Sequence, residues 1–249
     1  MSTATLSDRP APTRGDGKAA TILMAAERLF AERGYHAVTI REIAAEAQVP
    51  LALVGYYHGP KQSLFEAVFA RWQANIDERV HELEAALAQG GRTLLRRLVE
   101  AFVAPVLRLR ASPEGRDYAV LVARELAYAS PESDRVLRRH FDPMAHRFID
   151  AFAVALPNAT RAELAWVYQF ALGALLHHLI DVRVERLSRG AAAANDAAAA
   201  ALLVRFIEGG IRATLGGAGG ASGATAAAQL GRKPTPATKV SRSTPRRHA

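Results

Sequence analysis

Apolar residues recur at intervals of three and four along almost the whole stretch from Lys18 to Leu215, the spacing of helix faces and not of strands. Ile22, Ala25, Ala26, Leu29 and Phe30 mark a first helix ending near Gly34. Leu64, Val68, Trp72, Ile76, Val80, Leu83 and Leu87 predict one long helix from Lys61 to Gln89, closed by Gly90 and Gly91. Leu94, Leu95, Leu98, Val99, Phe102, Val103, Val106 and Leu107 form a stripe wide enough for burial among several neighbours. Pro113 and Pro131 each follow a serine, an arrangement suited to helix starts, and bracket a short helix around Tyr118 to Tyr128. Leu137, Phe141, Met144, Phe148 and Phe152 carry the period on to Pro157. Thr160 and Glu163 form a capping box that opens an apolar helix reaching about Leu187, and a last helix is expected from Asn195 to Thr214. With no strand-like alternation of useful length and no internal repeat, the expected fold class is all-α, with about nine helices.

Composition narrows the chemistry. Half of the 249 residues are hydrophobic and 22% are charged, enough to bury a sizeable core. There is no cysteine, which removes disulfides, thiolate metal sites and cysteine nucleophiles together. The most apolar run, Leu164 to Ile180, carries Gln169, His177 and His178 and is too short for a membrane span. The first residues lack the apolar core of a secretory signal, so a cytoplasmic location and no membrane partner are expected. The net charge of +8 points to an acidic partner, but Arg232, Lys233, Lys239, Arg242, Arg246 and Arg247 all lie after Gly216 with no acidic residue among them. What precedes them is nearly neutral, so nucleic-acid binding by the globular part must rest on a motif.

Thr39 and Glu42 form a second capping box, predicting a short helix from Ile40 to about Ala47. Another short helix fits Leu51 to Tyr57, with Pro50 at its start. Ile43, Ala47, Val49, Val54 and Tyr57 fall where a helix-turn-helix needs apolar contacts, and Ala44 is the small residue where the two helices cross. A major groove about 12 Å wide admits the second helix of such a pair while the first crosses the backbone. Spacing alone leaves a helix hairpin inside a bundle equally open.

The flanks are more specific. Thr39-Ile40-Arg41-Glu42-Ile43-Ala44, followed by Tyr56-Tyr57-His58-Gly59-Pro60-Lys61 and Leu64-Phe65, resembles the signature of the TetR (tetracycline repressor) family of bacterial regulators. Leu51-Ala52-Leu53-Val54 and Gly59 are similar to the subgroup often called CecR-like. The resemblance implies that Arg41, Leu51, Ala52, Gly55 and Tyr56 face base edges, while Thr39, Tyr57 and Lys61 hold phosphates. It also implies a DNA-binding domain over 18–62 and a ligand-binding and dimerisation domain over 63–214, flanked by an expected disordered arm over 1–17 and by a segment over 215–249 whose Gly, Ala, Ser, Thr, Pro and basic residues predict a disordered basic tail. The implied function is repression from a palindromic double-stranded operator, by a homodimer that a small-molecule effector releases. The helices Arg161–Leu187 and Asn195–Thr214 resemble the family's dimerisation pair. Several positions depart from the pattern: Gln48 replaces the turn glycine, Pro50 a serine, His58 a phenylalanine and Pro60 a serine, and Gly55 removes a side chain often aimed at DNA. Gln48 is accordingly expected in a left-handed conformation.

Other residues carry rival readings. Glu78-x-x-His81 has the spacing of a carboxylate-bridged metal motif, but no second copy exists, so a solvated helix face fits better than a helical-bundle enzyme. No metal site or cofactor is expected, and His177 and His178 point too far apart on a helix to share one ion. The remaining rival is a DNA-coating protein driven by the basic tail, salt-sensitive and blind to sequence. Phe102, Arg124, Tyr128, Phe148, Trp166, Gln169 and His177 combine aromatic and polar groups on core-spaced helices and are the candidate effector pocket.

Overall fold

The computed structural model describes residues 14–128 and 130–216. Most of the expected arm over 1–17 and nearly all of the expected tail over 215–249 lie outside the described residues. The described residues form one compact unit.

Helices α1 (Arg14–Arg33), α2 (Ile40–Glu46), α3 (Leu51–His58) and α4 (Lys61–Arg71) build the N-terminal part, α1 starting somewhat before the expected Lys18. Then follow α5 (Gln73–Gln89), α6 (Leu94–Ala111), α7 (Arg116–Ala127), α8 (Pro131–Val136), a π-helical turn over Leu137–Phe141, α9 (Asp142–Ala155), α10 (Arg161–Ile180), the single turn α11 (Val184–Leu187) and α12 (Ala199–Leu215). No strand occurs among the described residues. Among the described residues the rods number ten if α4 with α5, and α8 with the π turn and α9, are each taken as one interrupted helix, and nine once the single turn α11 is set aside.

Two interruptions depart from the sequence reading. The helix expected from Lys61 to Gln89 breaks at Trp72, whose φ of −98° and ψ of 14° leave the helical range. Its indole is pinned from outside the helix: Nε1 donates to Glu27 Oε2 at 2.8 Å, and the ring stacks on Tyr118 at 5.1 Å. The helix expected to reach Leu187 stops at Ile180, because Asp181 turns extended and its carboxylate accepts from the Arg183 backbone N–H at 2.9 Å and from the Arg183 guanidinium. That local ring replaces the helical ladder. Ser112-Pro113 likewise makes a turn and not a helix start: Ser112 Oγ accepts from the Gly115 N–H at 3.0 Å, and α7 begins only at Arg116. Ser130-Pro131 does open a helix, with Ser130 Oγ accepting from the Ser133 N–H at 3.1 Å.

The buried residues form two clusters. Ile22, Ala26, Phe30, Ile43, Val54 and Leu64 lead the first, which also takes in Phe65, Val68 and Phe69 of α4. The N-terminal core therefore extends beyond residue 62, and Tyr118 and Leu121 of α7 and Val136 of α8 belong to it. The second cluster joins α5, α6, α9, α10 and α12 through residues such as Leu98, Phe102, Phe148, Leu164 and Ile207. Helix α7 packs against α1 on one side and α6 and α10 on the other, and Phe141 packs against both clusters.

Candidate nucleic-acid interface and inner cavity

The short helix pair follows from local chemistry. Thr39 Oγ1 accepts from the Glu42 N–H at 3.2 Å, while the Thr39 N–H donates to Glu42 Oε2 at 2.7 Å, closing the expected capping box. These bonds, with Arg33 beside the carboxylate, hold the Glu42 carboxyl down at about 2 from its usual 4.5. A depressed carboxyl supports the fold above its unfolded pKa and loses that support as pH falls through its folded one. The α2 cap should therefore stay closed through pH 4 and open only as pH approaches 2. An NMR titration of the Thr39 amide reads this directly, and a midpoint near 4.5 would contradict it.

Between α2 and α3 the chain turns through Gln48, at φ 53°, and the Val49 N–H donates to the Ala44 carbonyl at 3.0 Å across the crossing. The left-handed conformation foreseen for Gln48 is present. A side chain in that region costs about 1–2 kcal/mol, partly offset in glycine by its greater unfolded freedom. Gln48→Gly should stabilise the protein by about 1 kcal/mol in urea unfolding, with no change in the slope. Ile43, Ala44, Ala47 and Val54 are buried beneath the pair, and Val49 and Tyr57 pack at its edge. His58, standing where the family places phenylalanine, has Nε2 3.0 Å from the Ala19 carbonyl and so ties α3 to α1.

Arg41, Leu51, Ala52, Gly55 and Tyr56 are all exposed. Tyr56 is 79% accessible, and nothing lies within 4 Å of the position a Cβ on Gly55 would take. The open surface thus consists of a guanidinium, one leucine side chain, two small residues and one phenol. Thr39 is exposed, whereas Tyr57 and Lys61 are half-buried. Lys61 Nζ sits 4.2 Å from the centre of the Tyr35 ring, a cation–π contact that aims the ammonium. Burial lowers the Lys61 pKa, opposed by Glu132 and Glu42. The sequence motif does not single out Tyr35, whose contact with Lys61 depends on packing and not on spacing.

The seven candidate pocket residues do not converge. Phe102 and Phe148 are buried side by side, their rings 5.3 Å apart, but Trp166, Gln169 and His177 lie on the exposed side of α10. Arg124 reaches the end of α1, donating to the Glu32 carbonyl at 3.0 Å, and Tyr128 is 71% exposed beside it. His177 pairs at the surface with Asp181 at 2.8 Å, and His178 is half-buried. Glu78 is engaged by Arg108 at 2.8 Å, and no group of three metal-ligating side chains occurs among the described residues.

A partly open cavity lies elsewhere, between α5, α6, α7 and α10. It holds about 50 Å³ and is walled by Val106, Val122, Leu126, Leu172, Leu176 and Leu179. Its polar atoms come from Asn75, Arg79, Tyr118 and Tyr168. Arg79 is 5% exposed, with its guanidinium carbon 5.2 Å from the Phe102 ring centre and 5.7 Å from that of Phe148. Its single hydrogen bond is a long one, from Nη2 to the Phe102 carbonyl at 3.4 Å, while Nε has no partner. Burial lowers the Arg79 pKa and raises that of Tyr118 well above the usual phenol range. The sequence held a signal for this site: Arg79 stands at core register between Ile76 and Leu83, where a cation is out of place.

Comparison with known proteins adds a second line of support. Residues 22–68 match the family described as bacterial regulatory proteins, tetR family, and residues 100–210 match the tetracyclin repressor-like C-terminal domain. Over 108 residues the chain is 37% identical to an HTH-type transcriptional repressor of Mycobacterium tuberculosis, a match covering 41% of this chain and 57% of the relative. An HTH-type transcriptional regulator of Mycobacterium bovis matches to the same degree. The chain thus spans little more than half the length of the curated relatives it matches. Among solved structures, HlyIIR, a hemolysin II transcriptional regulator, has a TM-score of 0.56 at 17% identity, covering 79% of this chain and 97% of that one. A regulator from Bordetella parapertussis gives 0.56 at 16% identity, covering 76% and 93%. At those identities the likeness is one of fold.

Proposed function

Because the chain belongs to the TetR family of bacterial regulatory proteins, we propose that it is a sequence-specific regulator of transcription, not an enzyme. In this reading it works in the cytoplasm as a homodimer, represses from a palindromic operator and is released by a small-molecule effector. The observation that carries the reading is the exposed α2–α3 surface, closed beneath by Ile43 and Val54 and bearing Arg41, Leu51, Ala52, Gly55 and Tyr56 outward. Selection of bound DNA from a random pool, with footprinting upstream of the protein's own gene, tests it. A palindrome with half-sites about one helical turn apart is expected; enrichment of no sequence would refute it.

Arg41 is proposed to read a base and Lys61 to hold a phosphate, with Thr39 and Tyr57 as further phosphate contacts. Phosphate contacts position and base contacts specify, so the two substitutions should separate. Arg41→Ala should cost about 1–3 kcal/mol at one base pair per half-site, and Lys61→Ala should weaken all sequences alike and flatten the salt dependence. Titrations against operator variants decide this, and equal losses on every sequence for both would remove Arg41 from readout. With few hydrogen-bonding groups on α3, thymine methyl contacts and DNA shape carry the remaining specificity.

The dimer is assigned to α10 and α12. Trp166 and Phe170 stack at 5.8 Å on the outside of α10, and Leu202 and Phe206 stand on α12, all between 59% and 69% exposed. Gly173 and Gly210 leave open space on the same two helices, so a partner's backbone can come close. No helix among the described residues is long and apolar enough to cross a membrane. An exposed apolar face of this kind fits an isologous contact between two copies.

A further inference from the structure

We propose that the cavity around Arg79 binds a small hydrophobic carboxylate, with the Arg79 guanidinium and the Tyr118 hydroxyl holding the head group. This deepens the effector reading by naming the ligand's chemistry, and it rests on four observations about one place. Arg79 is buried at the cavity wall, and no carboxylate pairs with it among the described residues. Glu27, the acid that acts on neighbouring Tyr118, is already engaged by Arg71 at 3.1 Å and by Trp72 at 2.8 Å. Arg79 Nε and Tyr118 Oη are both buried without a hydrogen-bond partner, and both residues line the same space.

Buried cations are ordinarily paired, and buried polar atoms ordinarily hydrogen-bonded. Two donors without partners on one cavity wall, one of them charged, suit an acceptor bearing one negative charge. Carboxylate geometry suits a guanidinium edge, which offers parallel N–H groups to two oxygens, and the phenol adds a third bond. The rest of the wall is aliphatic, so the ligand's body is apolar. As found, the space accommodates little more than the head group, since about 150 Å³ is needed for a benzene ring. A bound acid must therefore displace Leu172, Leu176 or Met144, unbranched or flexible side chains able to move. The cation–π contacts with Phe102 and Phe148 offset part of the cost of burying the guanidinium.

The test uses the full chain without DNA, so it stands or falls separately from the operator reading. Benzoate and octanoate are titrated against benzamide and sodium chloride, following the melting temperature and the emission of Trp72 in a Trp166→Phe background, which leaves a single tryptophan stacked on Tyr118. At least one carboxylate should raise the melting temperature saturably and change Trp72 emission, while benzamide and chloride should do neither. Arg79→Met should weaken that carboxylate at least tenfold, Arg79→Lys should keep part of the affinity, and Tyr118→Phe should lose a few-fold. Tyr118→Phe removes only an unpartnered hydroxyl, so it reports even if Arg79→Met fails to fold. Equal binding of benzamide, undiminished carboxylate binding by the Arg79 and Tyr118 variants, a response to chloride alone, or no response to either acid would each overturn the proposal.

Discussion

Phe206→Glu should convert the dimer to monomers and with it abolish operator binding at ordinary protein concentrations. The ring is 69% exposed in the single chain, and it lines a groove with Val167, Phe170 and Ile207 between α10 and α12. A buried aromatic anchor at an interface is typically worth about 2–4 kcal/mol. In an isologous dimer each substitution occurs twice, so the loss is about 4–8 kcal/mol, three or more orders of magnitude in the dissociation constant. The introduced carboxylates add a desolvation cost, and Glu208 lies nearby in sequence to repel them. Within one protomer the ring contributes little, so the monomer should keep its helicity and melt cooperatively. Sedimentation velocity across a concentration series measures the change, with Met24→Glu as a control at an exposed apolar residue of α1. A Phe206→Glu protein still dimeric at micromolar concentration would remove this face from the dimer contact.

What the sequence made legible divides along the range of the interactions. Both capping boxes are decided within four residues, and both occur with their expected partners. The left-handed Gln48 is equally local, since the turn between two short helices demands that conformation whatever residue supplies it. The pocket was not legible, and α10 shows why. Trp166, Tyr168, Phe170, Leu172 and Leu176 surround the helix, so periodicity assigns no inner face. Tyr168, Leu172 and Leu176 turn toward the cavity, while Trp166 and Phe170 turn out. The Trp72 break was hidden for a related reason: the apolar period from Val68 to Ile76 runs straight through it, and the group that bends the chain, Glu27, lies more than forty residues earlier. Arg79 was visible as a charge at core register, but its lack of a partner is a fact of three dimensions.

That same break supports the last expectation, a loss of about 3 kcal/mol in Glu27→Ala with an accompanying loss of ligand response. Glu27 is 3% exposed on α1 and receives both the Trp72 indole N–H and Arg71, fixing the N-terminal unit to the point where α4 gives way to α5. Trp72 in turn stacks on Tyr118, which lines the cavity, so cavity, break and α1 are joined through consecutive contacts. Burial raises the Glu27 pKa against the pull of Trp72 and Arg71, so the carboxyl's value to the fold lies less in its charge than in its acceptor atoms. Alanine strands the indole N–H and leaves a void, together worth about 3 kcal/mol. Glutamine keeps an acceptor and nearly the same volume, and should fall within about 1 kcal/mol of the parent. Urea unfolding of the three proteins ranks these terms, and a Glu27→Gln as costly as Glu27→Ala would make the Arg71 ion pair the stabilising contact instead. Coupling between two sites is commonly about 1–3 kcal/mol and needs an element that both sites bias. If the contacts through Trp72 form that element, Glu27→Ala should bind operator in the absence of ligand yet release it poorly when ligand is added, while Glu27→Gln responds normally. Release by Glu27→Ala as complete as by the parent would place the coupling elsewhere, with the Arg124 bridge from α7 to the end of α1 the next contact to cut.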